Sequence, residues 1–72
     1  MAERGTTQED VLDVIEQLTS QTGRPPTRSE VMAAMGFRSH TYMEHILTKL
    51  RLLGLVTWTP HVPRTLRTTR TP

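Results

Sequence analysis

The sequence predicts a mainly α-helical domain with a small β-hairpin at its end. Apolar residues recur at helical spacing in three stretches, cap residues or glycines bound these stretches, and a β-branched and aromatic run follows the last of them. A chain of 72 residues has room for one domain. We assign residues 1–6 to a flexible N-terminal arm, residues 7–69 to the domain and residues 70–72 to a frayed tail.

The first helix is predicted to run from Thr7 to about Thr22. Thr7 suits the N-cap position, and Gly23 followed by two prolines suits the end of the helix. One apolar stripe is predicted to face the core, and it consists of Val11, Leu12, Val14, Ile15 and Leu18.

A short second helix and a longer third helix flank a tight connection. Thr27 and Glu30 have the spacing of a capping box, and Gly36 suits a left-handed position at the end of the second helix. Ser39 is the predicted cap of the third helix, which continues to about Leu53. Its core-facing stripe is predicted to be Met43, Ile46, Leu47 and Leu50, and its outer face Thr41, His45, Thr48 and Leu52.

The chain closes with a predicted hairpin. Residues 55–59 suit one strand, residues 60–64 form a loop with two prolines, and residues 65–68 suit the returning strand. Because a two-stranded hairpin is marginal by itself, we expect it to pack on the helices. The residues predicted to make this contact are Val56, Trp58 and Leu66. The order helix, helix, tight turn, helix, hairpin is typical of a winged helix-turn-helix domain.

The charge is distributed unevenly along the chain. Residues 1–30 carry three basic and six acidic side chains, whereas residues 31–72 carry six basic and one acidic. This asymmetry is typical of nucleic-acid-binding domains, although a mixed, solvated surface has the same balance. The absence of cysteine excludes disulfides and thiolate metal sites, and no apolar run has the length of a membrane span. We therefore expect a soluble, cytoplasmic protein.

The outer face of the third helix carries chemistry suited to base edges in the major groove of DNA. Glu44 can accept a hydrogen bond from a cytosine amino group, and the exposed amides at the helix start suit a phosphate. The predicted base-contacting residues are Ser39, Thr41, Tyr42, Glu44 and His45. The predicted phosphate-contacting residues are Arg28, Arg38, Thr48, Lys49, Arg51, Arg64 and Arg67, with Arg64 at the tip of the predicted hairpin.

Two motifs flank the second helix: residues 20–30 read SQTGRPPTRSE and residues 35–39 read MGFRS. They resemble the DNA-binding domain of the LexA family, the repressors of the bacterial SOS response to DNA damage. The resemblance covers nearly the whole chain and implies a repressor that binds a palindromic double-stranded operator at the nucleoid, with weak homodimerisation on DNA. It implies base reading by Ser39 and Glu44. The family's usual residues are replaced by His40, Thr41, Tyr42 and His45, so we expect an altered operator or weak specificity.

The resemblance also bears on enzymatic activity. LexA proteins carry a second domain whose serine–lysine dyad cleaves the linker between the domains. This sequence has no such domain, and its one lysine, Lys49, lies in the predicted third helix. We therefore expect no self-cleavage, no other catalysis, no cofactor and no small-molecule substrate.

Two other functions remain open from the residues alone. A winged helix can dock onto another protein, and Tyr42, His45 and Leu52 would then form the contact patch. A zinc site is the second alternative, with His40, His45 and His61 as ligands. Zinc requires three or four convergent ligands, and the spacing of these histidines is poor, so surface histidines are the better interpretation.

Overall fold

The computed structural model describes residues 7–69, and within them it contains three helices and one two-stranded sheet. The elements are α1 (Thr7–Thr22), α2 (Arg28–Met35), α3 (His40–Leu52), β1 (Val56–Thr57) and β2 (Arg67–Thr68). The strands are antiparallel, with Val56 opposite Thr68 and Thr57 opposite Arg67. This architecture confirms the predicted three-helix winged helix-turn-helix fold. The predicted arm (1–6) and tail (70–72) lie outside the described residues.

The boundaries of α2 follow the sequence signals. The Thr27 hydroxyl accepts from the backbone N–H of Glu30 at 3.1 Å, and the Glu30 carboxylate accepts from the N–H of Thr27 at 2.9 Å. The predicted capping box is therefore complete. Gly36 has the left-handed φ of 75°, and the next N–H, that of Phe37, donates to the Met32 carbonyl at 3.0 Å. This hydrogen bond closes α2 and turns the chain toward α3.

The start of α1 differs from the prediction. Thr7 is helical and is not an N-cap, and the position before it lies outside the described residues. The helix ends at Thr22 as predicted, and the N–H of Gly23 donates to the Thr19 carbonyl at 2.8 Å. Among the three helices described, none combines the length and the hydropathy of a membrane-spanning segment.

The core lies between the three helices and the hairpin. Its buried apolar residues are Val11, Leu12, Ile15, Val31, Met32, Met43, Ile46, Leu47, Leu50, Val56 and Leu66. Val56 and Leu66 anchor the hairpin as predicted, and Trp58 packs against the core from a half-buried position. Among residues 7–69, the one buried polar residue is Thr68. Its hydroxyl donates to a carboxylate oxygen of Glu16 on α1 at 3.0 Å.

The strands are shorter than the sequence predicts. The β propensity predicts strands over residues 55–59 and 65–68, but that prediction is wrong in length because only two residue pairs form the ladder. We call residues 58–66, which connect the strands, the wing. Within it, the Thr65 hydroxyl accepts from the N–H of Thr59 at 2.9 Å and lies 2.9 Å from the Val62 carbonyl. Side-chain hydrogen bonds thus replace ladder bonds next to two prolines, which have no N–H to donate.

Candidate nucleic-acid interface

The outer face of α3 is exposed to solvent. Thr41, His45, Thr48 and Leu52 are all exposed, whereas the opposite stripe of the same helix is buried in the core. The Ser39 hydroxyl accepts from the N–H of Tyr42 at 3.2 Å, which fixes the first turn. The major groove of B-DNA admits one α-helix, and a face of this kind on a 13-residue helix has the required dimensions.

An aromatic contact supports the first turn of α3. The rings of Phe37 and Tyr42 meet edge to face, with centroids 5.0 Å apart and an angle of 81° between their planes. Tyr42 nevertheless keeps 46% of its surface exposed. Because Phe37 belongs to the connection between α2 and α3, this contact restricts the tyrosine ring while leaving part of it available to a partner.

Glu44 and Arg28 are paired with each other. The Nε of Arg28, the first residue of α2, lies 2.7 Å from Oε2 of Glu44 on α3, and both side chains are partly exposed. Arg28 is a predicted phosphate contact and Glu44 is a predicted base contact, and the two form one ion pair. Sequence reasoning missed this pair because the two residues lie on different helices, and no local pattern reports a contact between helices.

Two arginine guanidinium groups lie over the indole of Trp58. The guanidinium carbon of Arg28 lies 4.7 Å from the centroid of an indole ring, and that of Arg51 lies 4.3 Å from one. Arg51 also donates to the Trp58 carbonyl at 3.5 Å. Cations over an indole are attracted by the electrons of the ring face, so the tryptophan links α2, α3 and the wing.

Arg64 reaches back to α2 instead of projecting from the wing. Its two terminal nitrogens donate to the two carboxylate oxygens of Glu30 at 3.2 and 3.0 Å, and one of them also donates to the Pro25 carbonyl at 3.1 Å. Arg64 has a positive φ of 59°, which is uncommon for a residue with a side chain. Arg64 is a predicted phosphate contact, but without DNA it is already hydrogen-bonded to other residues of the protein.

The carboxylate of Glu30 joins two structures at once. The hydrogen bonds from Arg64 and then the N–H of Thr27 hold the pKa of Glu30 below its ordinary value. The same side chain therefore caps α2 and fastens the wing. The sequence motif indicated the first role of Glu30 and contained no signal for the second.

The remaining predicted phosphate contacts are exposed side chains on several elements. Arg38 lies in the connection before α3, and Thr48 and Lys49 lie in the second half of α3. Arg67 is on β2 and lines a surface cavity of about 290 Å³ beside the end of α1. Among the residues that the structure describes, no group of three or more His, Cys, Asp and Glu side chains is placed to hold a metal ion.

The family model described as the LexA DNA-binding domain matches residues 1–65. The chain belongs to this family. It is 40% identical over 60 residues to the LexA repressor of Marinobacter nauticus, a match that covers 83% of this chain and 30% of the relative. It is 39% identical over 67 residues to the LexA repressor of Ralstonia nicotianae, covering 93% and 31%. The LexA repressor of Cellvibrio japonicus is 39% identical over 62 residues, covering 86% and 31%.

Membership of the LexA family confirms the resemblance seen in the sequence and, with it, DNA binding as the class of function. The match includes all three helices, β1 and most of the wing. The matched family is described as a DNA-binding domain. The chain spans about 30% of the length of the curated LexA repressors that it matches.

Proposed function

We propose that this domain recognises a DNA operator for a LexA-type transcriptional repressor, with α3 lying in the major groove and no catalytic role. The observation that carries the proposal is the exposed outer face of α3 on a chain of the LexA family. Relatives that are similar over most of this chain are named LexA repressors, which supports repression as the outcome of binding. We expect the protein to act at the bacterial nucleoid.

The first half of α3 supplies the base contacts in this proposal. The residues assigned to them are Ser39, Thr41, Tyr42, Glu44 and His45. The hydroxyl and methyl groups of Thr41 suit a base edge and a thymine methyl, and Glu44 suits a cytosine amino group. His45 donates to or accepts from a purine according to its tautomer. These side chains differ in chemistry, so the preferred half-site contains more than one kind of base pair.

The proposed phosphate contacts fall into two groups. Arg38, Thr48 and Lys49 are exposed, and in this proposal they contact the backbone of the duplex directly. A second group already has protein partners and supplies positive charge from fixed positions, and it consists of Arg28, Arg51 and Arg64. The proposed contact of Arg67 depends on how closely the duplex passes β2. Each neutralised phosphate releases counterions, so binding should weaken steeply as salt rises.

The proposed operator is palindromic and takes two copies of the domain. Two-fold operators place half-sites one helical turn or a multiple apart, so that each copy presents the same helix to the same face of the duplex. We propose that the copies pair weakly and only on DNA. A dimerised fusion should therefore select a palindrome, and the single domain should select one half-site.

Selection from a random duplex library tests the function directly. The 72-residue chain and a dimerised fusion of it are passed through the same library, and the enriched sites are then titrated at several salt concentrations. The expected result is an enriched half-site and a log–log salt slope of about −0.9 per phosphate contacted. A folded domain that enriches no sequence and ignores duplex DNA in dilute buffer would refute the proposal.

Docking to another protein is the alternative that one observation favours. Leu52 at the end of α3 is 82% exposed and neighbours Leu53, which is 58% exposed. An apolar docking contact through Tyr42, His45 and Leu52 would depend little on salt, since it releases few counterions. The salt series therefore separates the two functions in one experiment.

A further inference from the structure

Glu44 poses an electrostatic problem for the proposed interface. It is the one acidic residue of α3, and it lies on the part of the helix that is proposed to approach the duplex. A carboxylate beside phosphates is repelled, and a hydrogen bond from one base opposes that repulsion only at matching sites. A neighbouring cation that stays in place whatever DNA sequence is bound would lower this repulsion and would not remove the preference for the matching base.

Arg28 is placed to be that cation. Its Nε lies 2.7 Å from Oε2 of Glu44, and the pair is only partly exposed, so water screens it less than a fully exposed pair. The backbone of Arg28 lies within the capping box, between the N-cap Thr27 and Glu30. The two hydrogen bonds of the box therefore fix the backbone from which the side chain starts.

The other end of Arg28 is held by the wing. Its guanidinium lies over Trp58 at 4.7 Å, and Trp58 packs against the core and also carries Arg51 at 4.3 Å. Held at the backbone and at the guanidinium, the arginine presents a defined position to the carboxylate of Glu44. Three elements, α2, α3 and the wing, therefore meet at this one arginine.

We propose that Arg28 is a positioning residue for base recognition by Glu44. It fixes the orientation of the carboxylate, neutralises it against the phosphates and engages Oε2, leaving Oε1 to accept from a base amino group. The inference rests on the proposed function of α3 as the reading helix. Base preference at one position of the half-site then depends on an arginine that touches no base, and on Trp58, which supports that arginine.

A role for Arg28 in phosphate binding alone is the competing interpretation, and it has different consequences. A residue that binds only phosphate weakens binding to all sequences equally when it is removed, and it does so independently of Glu44. A positioning residue changes the preference at the base pair that Glu44 reads. Once the Glu44 charge has been removed, removal of the positioning residue then causes no further loss of base preference.

A four-member variant cycle tests the proposal. The wild type, Arg28→Gln, Glu44→Gln and the double variant are titrated on the selected half-site and on all its single-base-pair substitutions, after thermal melting has confirmed that each is folded. Arg28→Gln is expected to lower the preference at the same base pair as Glu44→Gln, by roughly 10-fold. The double variant is expected to show no further loss of preference beyond Glu44→Gln.

Arg38→Gln is the matched control, because Arg38 is an exposed arginine of the adjoining connection with the same predicted role. It should weaken binding to every site alike and lower the salt slope by about 0.9. Trp58→Phe provides a second approach to the same pair, since a smaller ring attracts the guanidinium less. It should reduce the preference at the Glu44 base pair by less than Arg28→Gln does.

Several outcomes overturn the inference. A uniform loss across all sites in Arg28→Gln, additive with Glu44→Gln, makes Arg28 a phosphate contact, and unchanged binding removes it from recognition. If the wild type binds no duplex, the proposed function fails and this inference with it. In contrast, if the wild type selects a site and only the coupling is absent, the proposed function stands. The Arg28 Nε resonance, measured without DNA in wild type and Glu44→Gln, reports the pair separately.

Discussion

The outer face of α3 and the wing differ in how their polar side chains are held. On α3, Thr41, His45 and Thr48 are exposed side chains on a rigid helix whose opposite stripe forms part of the core. In the wing, the Thr65 hydroxyl is hydrogen-bonded to other residues of the wing itself, and Arg64 is hydrogen-bonded to Glu30 on α2. The helix therefore presents polar groups to a partner, whereas Arg64 and Thr65 form hydrogen bonds that hold the wing in place.

This difference follows from the length of the sheet. A ladder of two residue pairs cannot by itself hold the wing in place. Two buried side chains, Val56 and Leu66, and one bidentate ion pair, between Arg64 and Glu30, attach it to the helices instead. The wing is thus a part of the domain whose position can be altered by single substitutions that leave α3 intact.

Removal of the wing's apolar anchor is expected to have the largest effect. Leu66→Ala deletes a buried side chain and should lower the free energy of unfolding by about 2–5 kcal/mol. Leu52→Ala is the matched control, because the same atoms are deleted from an exposed site at the end of α3, and its effect should stay within about 0.5 kcal/mol. Urea unfolding followed by circular dichroism measures both. Equal losses would mean that Leu66 does not anchor the wing.

Truncation of Glu44 tests the α3 face next. Glu44→Ala should relax the preference at one base pair by about 1–3 kcal/mol, because an acceptor matched to a base amino group is lost. Lys49→Ala on the same helix should instead weaken binding to all sites and reduce the salt slope by about 0.9. Both are measured by titration on the selected half-site and its substitutions. An unchanged half-site in Glu44→Ala would show that Glu44 reads no base.

The parts of the fold set by neighbouring residues were predictable from the sequence. Thr27 with Glu30 defined the start of α2, and Gly36 defined its end, because caps and left-handed turns act within four or five residues. The outer face of α3 was likewise correct, since helical periodicity alone assigns Thr41 and His45 to the side away from the core.

The pairings between distant residues were not predictable. Their charge assigns both Arg28 and Arg64 to phosphate, but both have carboxylate partners on other elements. Helical or strand periodicity carries no information about which charges of separate elements meet. The short ladder was missed for a related reason: the Thr65 hydroxyl replaces strand hydrogen bonds, and β propensity does not register that competition.

Loss of the cap of α3 is expected to have an intermediate effect. Ser39→Ala removes the acceptor for the Tyr42 N–H and should lower the free energy of unfolding by about 1 kcal/mol. Thr41→Ala changes a neighbouring exposed residue that makes no cap, so its effect on stability should remain within about 0.5 kcal/mol. Thermal melting of the two variants separates stability from any change in DNA affinity, which is titrated afterwards. If the two variants melted alike, Ser39 would contribute no cap.

The smallest expected effect concerns the exposed carboxylate that fastens the wing. The folded state lowers the pKa of Glu30, chiefly through the hydrogen bond from Arg64, below its ordinary value of 4.5. A carboxyl with a lowered pKa stabilises the folded state above its unfolded pKa, and this contribution disappears as the pH falls through the folded value. Glu30→Gln retains a capping side chain but carries no charge. Its melting temperature should therefore lie below that of the wild type at neutral pH and converge with it as the pH falls below the lowered pKa of Glu30. A constant difference between the two melting temperatures across this range would show that the Arg64–Glu30 pair contributes nothing through its charge, and that the other contacts of the wing hold it in place.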